Sequence, residues 1–418
     1  MKSLEKQIRP ILIKTGGLVD VEHETILPNA FVLVEGDKIS AVGSQKTLGS
    51  GEALGEVIDL SDKYVLPGLI NSHAHLCMPA DGTPLTDFQT ETNEIWLLTA
   101  ARNAHKALMS GVTTVRDCGD RDGLVFQLRC AIEKGLAEGP RIIQSGSFIT
   151  ITGGHAYQEG REVDGVEEMV KAVRRSFKEG SDFIKVMATG GGTPGTYPEF
   201  ASFSVPELSA AVETAHRIGK TVAAHCRGIP GICNAIEAGI DHIEHACFEL
   251  PEFVLEFDPA IADRIAASGI YVTPTIQLYR DMVNDLIEKQ EIAPLSKEEE
   301  KKLNYMSRCV EEKLRSLQGM LDAGVVCVAG DDAGLPLTPF DRFWQELDAM
   351  EAGGMTAMQT MVAATKTAAT AMGRLDEIGS IAVGKQADII AVESDPCRDI
   401  TALANPSLIM RAGRIYRH

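Results

Sequence analysis

Two histidines that stand two residues apart are the first candidates for chemistry in this sequence. His73 and His75 belong to the short apolar run from Leu69 to His75, which is typical of a buried β-strand. Side chains two apart on a strand leave the same face, so both imidazoles can converge on one metal ion. We expect a metal site here, and a structural histidine pair is the alternative.

Two further histidines end other apolar runs. His225 follows residues 222–224, and His245 follows Ile243 and Glu244, so each would supply one imidazole from a separate strand. His242 lies three residues before His245, and this odd spacing points its ring to the opposite face. The two should not share a metal ion, but the sequence leaves open which of them faces inward.

A lysine interrupts a run that otherwise belongs in a protein core. Lys185 is the central residue of the segment from Phe183 to Met187. An ammonium group has no lone pair and repels metal ions, so a ligand role requires Lys185 to be neutral or chemically modified. The alternative is a buried salt bridge.

A pair of carboxylates follows the last apolar run. Asp332 comes after residues 325–329 and is preceded by Asp331. A carboxylate in this place could bind a metal ion and accept a proton from metal-bound water. The alternative is that one of the two aspartates caps a following helix.

Two other residues could contact a substrate. His155 follows two glycines in a loop, and loops of this kind often contact substrates, so His155 is a candidate for polarising a carbonyl group. An exposed loop histidine is the alternative. Arg227, two residues after His225, could pair with a substrate carboxylate such as a peptide C-terminus, or it could form a structural ion pair.

These candidates are positioned by eight short apolar runs that alternate with helical patterns. Eight such runs over about 310 residues fit a (β/α)8 barrel better than a doubly wound sheet, the alternative. Active sites of barrels lie at the carboxyl ends of the strands, where four of the histidines fall. The runs are residues 69–75, 113–117, 142–145, 183–187, 222–225, 242–245, 271–275 and 325–329.

Both ends of the chain have the pattern of β-structure. A hairpin pattern at residues 31–42 returns at residues 408–416. We therefore expect residues 1–64 and 375–418 to form one composite β-sandwich domain, and residues 65–374 to form the barrel.

Length, charge and cysteine usage restrict the class of protein. The 418 residues carry 59 acidic and 40 basic side chains, and a net charge of -19 argues against nucleic acid and anionic membranes as partners. The apolar run Ile11 to Ile13 is too brief for a signal-peptide core or a membrane span. Nine cysteines without a Cys-x-x-Cys pair do not resemble a disulfide framework. We expect a cytoplasmic protein that acts on a small molecule.

One nucleotide-binding motif is a false match. The segment from Gly190 to Gly195 has the glycine spacing of a dinucleotide fingerprint, but prolines interrupt it and no helix opens until about Val205. No phosphate-binding Gly-Lys-Ser/Thr loop and no Gly-x-Ser-x-Gly elbow is present in the sequence. Nucleotide hydrolysis and serine-hydrolase chemistry therefore lack support.

Taken together, the motifs resemble the amidohydrolase superfamily. The resemblance covers nearly the whole chain, including the β-structure at both ends and site residues on strands 1, 4, 5, 6 and 8 of the barrel. It is closest to the imidazolonepropionase-related metal-dependent dipeptidases, of the prolidase-like and arginine-carboxypeptidase-like kind. The segments that carry it are Pro67 to His75, Lys185, His225, Ile243 to His245 and Gly330 to Gly334.

The resemblance implies a binuclear metal centre. The ligands that it implies are His73, His75 and Asp332 for one divalent ion, His225 and His245 for the other, and Lys185 as the bridge. In the family this lysine reacts with carbon dioxide to give an anionic carbamate, which removes the difficulty of a cation among metal ligands. The family motif Ile-Glu-His selects His245 over His242. Zinc is the expected metal, although such ligands also suit manganese, iron or cobalt.

Two positions decide between branches of the superfamily. The residue before the catalytic aspartate is commonly Ser or Thr, and here it is Asp331, for which we expect a supporting or helix-capping role. The mononuclear deaminases usually carry Glu three residues after the strand-5 histidine, and here Gly228 stands there. That difference and the presence of Lys185 favour a binuclear hydrolase over a deaminase.

The expected chemistry is metal-assisted hydrolysis. Two ions would lower the pKa of a bridging water towards about 7 and give a hydroxide nucleophile, while Asp332 takes its proton and passes it to the departing amine. The first hypothesis for the substrate is the amide bond of a dipeptide or N-acyl amino acid. Alternatives are a lactam, lactone, cyclic amide or xenobiotic amide at the same site, or a noncatalytic assembly subunit. Because relatives commonly assemble, we expect a homo-oligomer.

Overall fold

A computed structural model describes residues 10–48 and 55–418 of the chain, without the side chain of Phe253. The expected β-sandwich segment 1–64 therefore includes residues 1–9 and 49–54, which lie outside the described residues. The expectation that the chain begins without a signal-peptide core also rests partly on residues 1–9.

The described part contains eighteen strands and twelve α-helices. The strands are β1 (Ile11–Asp20), β2 (Thr25–Glu35), β3 (Lys38–Ser44), β4 (Glu56–Pro67), β5 (Leu69–Ala74), β6 (Val112–Asp117), β7 (Arg141–Gln144), β8 (Ile149–Thr150), β9 (Arg161–Glu162), β10 (Ile184–Met187), β11 (Val222–Gly228), β12 (His242–Leu250), β13 (Val254–Leu255), β14 (Tyr271–Thr273), β15 (Val326–Cys327), β16 (Ile389–Val392), β17 (Leu408–Arg411) and β18 (Arg414–Arg417). The helices are α1 (Leu85–Phe88), α2 (Asn93–Met109), α3 (Leu124–Glu133), α4 (Val166–Glu179), α5 (Val205–His216), α6 (Ile229–Ala238), α7 (Pro259–Ala267), α8 (Gln277–Ile292), α9 (Lys297–Asp322), α10 (Trp344–Ala352), α11 (Ala357–Ala363) and α12 (Lys366–Ala371).

Strands from both ends of the chain form one seven-stranded sheet in the order β18-β17-β16-β4-β1-β2-β3. The two predicted hairpins are confirmed, because β2 pairs with β3 and β17 pairs with β18, both antiparallel. The sheet buries a core of its own, which includes Ile13, Val32, Ile58, Ile389 and Met410. The hydrogen bonding thus gives a single sheet, where a sandwich has two facing sheets.

The eight predicted runs all contain strands, namely β5, β6, β7, β10, β11, β12, β14 and β15. The strands β5, β6 and β7 form one parallel sheet, and β8 to β15 form a second sheet whose ladders are parallel apart from that of the short β13. Every residue of β5, β6 and β10 is buried, as expected for strands that are covered on both faces. This confirms a mostly parallel α/β arrangement for the middle of the chain.

The two parallel sheets meet at both margins through backbone hydrogen bonds. Ser72 N–H, on β5, donates to the Ala329 carbonyl beyond β15 at 2.9 Å, and Asp182 N–H, before β10, donates to the Gln144 carbonyl of β7 at 2.8 Å. Within the described ranges no continuous ladder joins the sheets, so strand pairing alone does not close a barrel.

Helices cover the parallel strands with one apolar face each. In α5 the buried residues recur at helical spacing; they are Leu208, Ala211, Val212 and Ala215. A capping box begins this helix, in which Glu207 Oε2 accepts the Ser204 N–H at 2.8 Å. Across the residues that the structure describes, no helix combines the length and the apolar character that crossing a membrane requires.

Candidate active site

Four imidazole rings lie side by side at the carboxyl ends of β5, β11 and β12. The ring centroids of His73 and His75 are 5.4 Å apart, those of His73 and His245 are 5.0 Å apart, and those of His245 and His225 are 4.5 Å apart. All four residues are buried. The structure therefore brings together the four histidines that the sequence analysis selected.

Asp332 joins two of these histidines. Its Oδ1 atom lies 3.3 Å from His73 Nε2 and 3.5 Å from His75 Nε2, and the three residues offer ligand atoms that all lie within 4.8 Å of one another. Burial acts to raise the pKa of Asp332, but the neighbouring His73 and His75 hold it well below its usual range. His73, His75 and Asp332 form what we call the carboxylate half of the site.

Two acceptors orient the histidines of the carboxylate half. His73 Nδ1 donates to Glu244 Oε2 at 2.7 Å, and the other oxygen of Glu244 accepts a hydrogen bond from Arg116. His75 Nδ1 donates to the Gly119 carbonyl at 3.0 Å. These hydrogen bonds fix both rings so that Nε2 faces Asp332, where it can bind a metal ion once it carries no proton.

His225 and His245 form the imidazole half of the site. His225 Nε2 donates to the Gly190 carbonyl at 3.2 Å, and His245 Nδ1 lies 2.8 Å from Thr275 Oγ1. Burial lowers the pKa of both histidines well below the usual value, so both imidazoles are neutral and each keeps a ring nitrogen for a ligand. The partners of this half are uncharged, in contrast to Glu244.

Lys185 is buried on β10 beside both halves. Only 1% of the residue is exposed, and its Nζ atom has no hydrogen-bond partner in the described part of the chain. The alternative of a buried salt bridge is therefore not found among these residues. An ammonium group without an acceptor in such a place is strongly unfavourable, and its charge also disfavours protonation of His225 and His245.

The backbone is left-handed at three residues of the site, one within β12 and two in the segments that follow β14 and β15. The φ angles are 72° at His245, 49° at Thr275 and 62° at Asp332. Such conformations cost about 1–3 kcal/mol for residues other than glycine and persist where surrounding structure enforces them. They occur at the residues whose side chains join the site from β12 and from the segments after β14 and β15.

His155 lies beside the imidazole half. Its ring centroid is 4.6 Å from that of His225, and Nδ1 lies 2.9 Å from Thr193 Oγ1. Burial, assisted by the positive charge of Arg227, lowers the pKa of His155 to about 3. The alternative of an exposed loop histidine is wrong, because the ring stacks against the row of imidazoles.

Arg227 is engaged in an ion pair. Its guanidinium Nη2 lies 2.8 Å from Glu249 Oε2, and its Nε atom is buried without a hydrogen-bond partner in the described chain. The structural ion pair that the sequence allowed is therefore present. Because a guanidinium has five N–H groups, one pair with Glu249 leaves donors for a second anion.

His242 and Asp331 support the site from outside it. Both ring nitrogens of His242 are taken, by Arg116 at 2.8 Å and by Thr273 Oγ1 at 2.7 Å. Asp331 Oδ1 accepts the Asn71 side-chain amide at 2.7 Å and the Ala333 N–H at 3.0 Å. The aspartate next to Asp332 therefore holds the turn rather than facing the histidines, which agrees with the expected supporting role.

Sequence analysis missed the residues that orient the ligands. Glu244 and Arg116 are charged residues inside runs that are buried on both faces, and such residues need partners, so this signal could have paired them. Glu244 also forms a close group with His73 and Cys118, but its ion pair with Arg116 makes it a support for His73. Thr275 left no sequence signal, because hydroxyl residues are common at strand ends.

Comparison with known proteins identifies the family of the chain. The model of the Amidohydrolase family matches residues 64–416. The chain is similar to ochratoxinase from Aspergillus niger, with 28% identity over 99% of this chain and 90% of that protein. Among solved structures, a Xaa-Pro dipeptidase with bound methionine in its active site has 30% identity and a TM-score of 0.85, covering 98% of this chain and 100% of the other. A putative prolidase from Bifidobacterium longum has 27% identity and a TM-score of 0.81, covering 98% and 95%.

A match of this extent reaches both the parallel strands and most of the terminal sheet. The relatives imply a TIM barrel for the parallel strands, and they include enzymes that cleave C–N bonds. The chain therefore belongs to the amidohydrolase family, in its dipeptidase-like group, and is a hydrolase that acts on C–N bonds.

Proposed function

We propose that this chain is a binuclear metal-dependent amidohydrolase that cleaves the amide bond of a dipeptide or an N-acyl amino acid. The observation that carries the proposal is the unpartnered Nζ atom of Lys185, buried beside both the carboxylate half and the imidazole half. A carbamate on this nitrogen would replace an unfavourable buried cation with an anion that can bind two metal ions.

The donor set fits two divalent ions. The carboxylate half offers two imidazoles and a carboxylate, and the imidazole half offers two neutral imidazoles, to which a carbamate on Lys185 would add oxygen ligands. Histidine and carboxylate ligands suit zinc, our first candidate. Bound ions would lower the pKa of a coordinated water and polarise the scissile carbonyl group.

Asp332 is the proposed proton carrier. Its low pKa keeps it as a carboxylate at neutral pH, and its Oδ1 atom lies in the row of histidines, so it can accept a proton from the attacking water. It would then give this proton to the departing amine nitrogen. The left-handed backbone at Asp332 fixes the carboxylate for both steps.

His155 is the proposed hydrogen-bond donor to the substrate carbonyl oxygen. Thr193 Oγ1 accepts the Ala156 N–H at 2.8 Å, which leaves its hydroxyl proton for His155 Nδ1 at 2.9 Å. The neutral ring then carries its own proton on Nε2. A neutral donor beside the imidazole half can stabilise the oxyanion that develops during hydrolysis.

Arg227 is the proposed binding group for the substrate carboxylate. It follows the ligand His225 by two residues on β11, and its ion pair with Glu249 at 2.8 Å fixes the position of the guanidinium. A carboxylate that one Cα atom joins to the scissile amide nitrogen would lie between Arg227 and the histidines. This recognition would favour substrates that release an α-amino acid.

A second candidate keeps the site and changes the substrate to a xenobiotic amide. Its support is the similarity to ochratoxinase, whose name describes action on ochratoxin rather than on a peptide. The two candidates differ in the amide that is cleaved, so a library that includes both peptides and xenobiotic amides separates them.

The test combines metal analysis with amide hydrolysis. The wild-type protein, reconstituted with zinc and bicarbonate, should hold two metal ions per chain and release amino acids from a dipeptide and N-acyl amino acid library. A Lys185→Ala variant should lose one ion or both and lose hydrolysis by about 10²–10⁴-fold. Lys178→Ala, an exposed lysine on α4, is the matched control. Full metal content and activity in Lys185→Ala would refute the proposal.

The architecture carries further proposals. We infer that the parallel strands close into a (β/α)8 barrel, which the hydrogen bonds at both sheet margins support. Residues 65–374 would form this barrel, and residues 1–64 and 375–418 would form the terminal domain.

Nine cysteines that are all free support a cytoplasmic location. Light scattering of the purified protein tests the expected homo-oligomer.

A further inference from the structure

A closed loop separates β10 from α5 at the edge of the site. Residues 190–201 follow β10, the fourth strand of the proposed barrel, and we call them the strand-4 loop. They contain the glycine spacing that resembles a dinucleotide fingerprint. An antiparallel bridge between Thr189 and Ala201 joins the two ends of the loop, and the Ser202 N–H donates to the Ala188 carbonyl at 2.8 Å. The loop is therefore anchored at its base.

The strand-4 loop contacts two candidate active-site residues directly. The Gly190 carbonyl accepts the hydrogen bond from His225, and Thr193 Oγ1 lies 2.9 Å from His155 Nδ1. The loop thus forms the wall of the site next to the imidazole half.

The strand-4 loop packs closely on itself and against β11, the strand that carries Arg227. A Cβ atom at Gly190 would lie 2.5 Å from the backbone of Tyr197, and a Cβ atom at Gly228 would lie 2.5 Å from the Pro198 carbonyl oxygen. Only glycine allows these approaches. The backbone of Tyr197 and Pro198 is therefore packed between two glycines. Gly190 accepts the hydrogen bond from His225, and Gly228 follows Arg227 in the sequence.

Aromatic side chains stand out from this loop into solvent. Tyr197 is 62% exposed and Phe200 is 56% exposed, and their ring centroids are 6.1 Å apart in an edge-to-face arrangement. The other exposed aromatic residue among the described side chains is Tyr157. It follows Ala156, whose N–H donates to Thr193 Oγ1 of the strand-4 loop. The paired rings of Tyr197 and Phe200 therefore offer apolar surface on a loop that contacts the site.

We propose that Tyr197 and Phe200 form a subsite for an apolar side chain of the amino acid that the enzyme releases. This proposal rests on the proposed function, in which Arg227 holds the carboxylate of that amino acid. The carboxylate and the side chain share one Cα atom, so the side chain must lie close to Arg227, next to Gly228 and the loop that packs on it. Aromatic side chains offer a large apolar area for contact with an aromatic or large aliphatic group.

Equilibrium binding of free amino acids tests the subsite without turnover. Isothermal titration calorimetry of the metal-loaded protein with L-phenylalanine, L-leucine and L-alanine should give the tightest binding for L-phenylalanine and the weakest for L-alanine. In the double variant Tyr197→Ala/Phe200→Ala the ratio of the Kd values for L-alanine and L-phenylalanine should fall by about tenfold. Both side chains are exposed, so the variant should fold, and circular dichroism checks this.

The matched control is the double variant Leu98→Ala/Leu136→Ala, which removes two side chains that are 66% and 79% exposed elsewhere. It should keep the wild-type ratio. An unchanged ratio in the loop variant, or a wild-type protein without preference for L-phenylalanine, would overturn the proposal. Failure of the proposed function has a different signature, since it appears as absent amide hydrolysis whatever the ratio of Kd values.

Discussion

The two halves of the candidate site are built from the same side chain but are held in different ways. In the carboxylate half, His73 donates to Glu244, a carboxylate that is itself bound to Arg116, and Asp332 adds a second negative group. In the imidazole half, the ring nitrogens of His225 and His245 have as hydrogen-bond partners, among the described residues, a carbonyl oxygen and a hydroxyl group. The first half has built-in negative charge, and the second has none.

This difference predicts two unequal metal affinities. Negative ligands and negative partners of histidine ligands strengthen the binding of a divalent cation. The carboxylate half should therefore bind its ion more tightly, while the imidazole half would depend on the proposed carbamate on Lys185 for its anionic ligand. The following changes, from the largest expected effect to the smallest, separate the two halves.

Asp332→Asn should have the largest effect on activity. Asn accepts the left-handed backbone of this position and keeps the shape of the side chain, but it cannot carry the proton. We expect kcat/KM to fall by about 10²–10⁴-fold and the tighter metal site to weaken. Steady-state kinetics and metal titration measure both, with Asp341→Asn, an exposed residue, as the control. Wild-type kinetics in Asp332→Asn would exclude it as the proton carrier.

Glu244→Gln should weaken the carboxylate half through His73. The neutral amide no longer fixes the Nδ1 proton of His73 by charge, so affinity at the tighter site should fall by about 10–100-fold. The change also leaves Arg116 without its charge partner, so thermal stability should decrease. Metal titration with a competing chelator separates the two effects. Loss of stability with unchanged affinity would make Glu244 a purely structural residue.

Thr275→Val should affect the imidazole half alone. Valine keeps the shape of threonine but removes the hydroxyl that contacts His245 Nδ1 at 2.8 Å. A neutral hydrogen bond of about 1 kcal/mol corresponds to roughly fivefold weaker binding. We expect only the weaker of two metal-binding steps to shift. A shift of the tighter step would show that the two halves do not act separately.

Glu346→Gln should change the pH dependence of stability. Glu346 accepts the N–H groups of Ile276 and Gln277 at 3.0 and 2.6 Å and so supports the turn that carries Thr275. Burial raises its pKa to about 8, above its ordinary value of 4.5. Its contribution to stability therefore declines as pH rises from about 4.5 to 8, by up to about 1.4 kcal/mol per pH unit.

Thermal denaturation between pH 5 and 9 measures this effect. Relative to the wild type, Glu346→Gln should gain stability as the pH rises, whereas Glu351→Gln, an exposed residue on the same helix, should not. Parallel curves for the wild type and Glu346→Gln would place the titration in another group.

Much of the architecture follows from local patterns in the sequence. Apolar runs without alternation predict strands buried on both faces, and β5 and β10 are such strands. The spacing of His73 and His75 predicts that their rings share a face, because the geometry of a strand is periodic. These features depend on neighbours along the chain.

Features that depend on distant residues could not be predicted. The pairing of Arg227 with Glu249 joins two strands, and neither residue type specifies its partner. The bond between His245 and Thr275 depends on left-handed backbone at both residues, which only the packed structure enforces. Likewise, the role of the strand-4 loop depends on which backbone approaches Gly190 and Gly228.

The terminal sheet has a consequence for the order of folding. Strand β4 lies between β1 and β16, and Tyr64 of β4 pairs with Val392 of β16. On the ribosome, β4 therefore has one unpaired edge until nearly the whole chain has been made. Unpaired strand edges in such intermediates promote aggregation. Removing the last strands would thus expose the N-terminal ones, although they lie at the opposite end of the sequence.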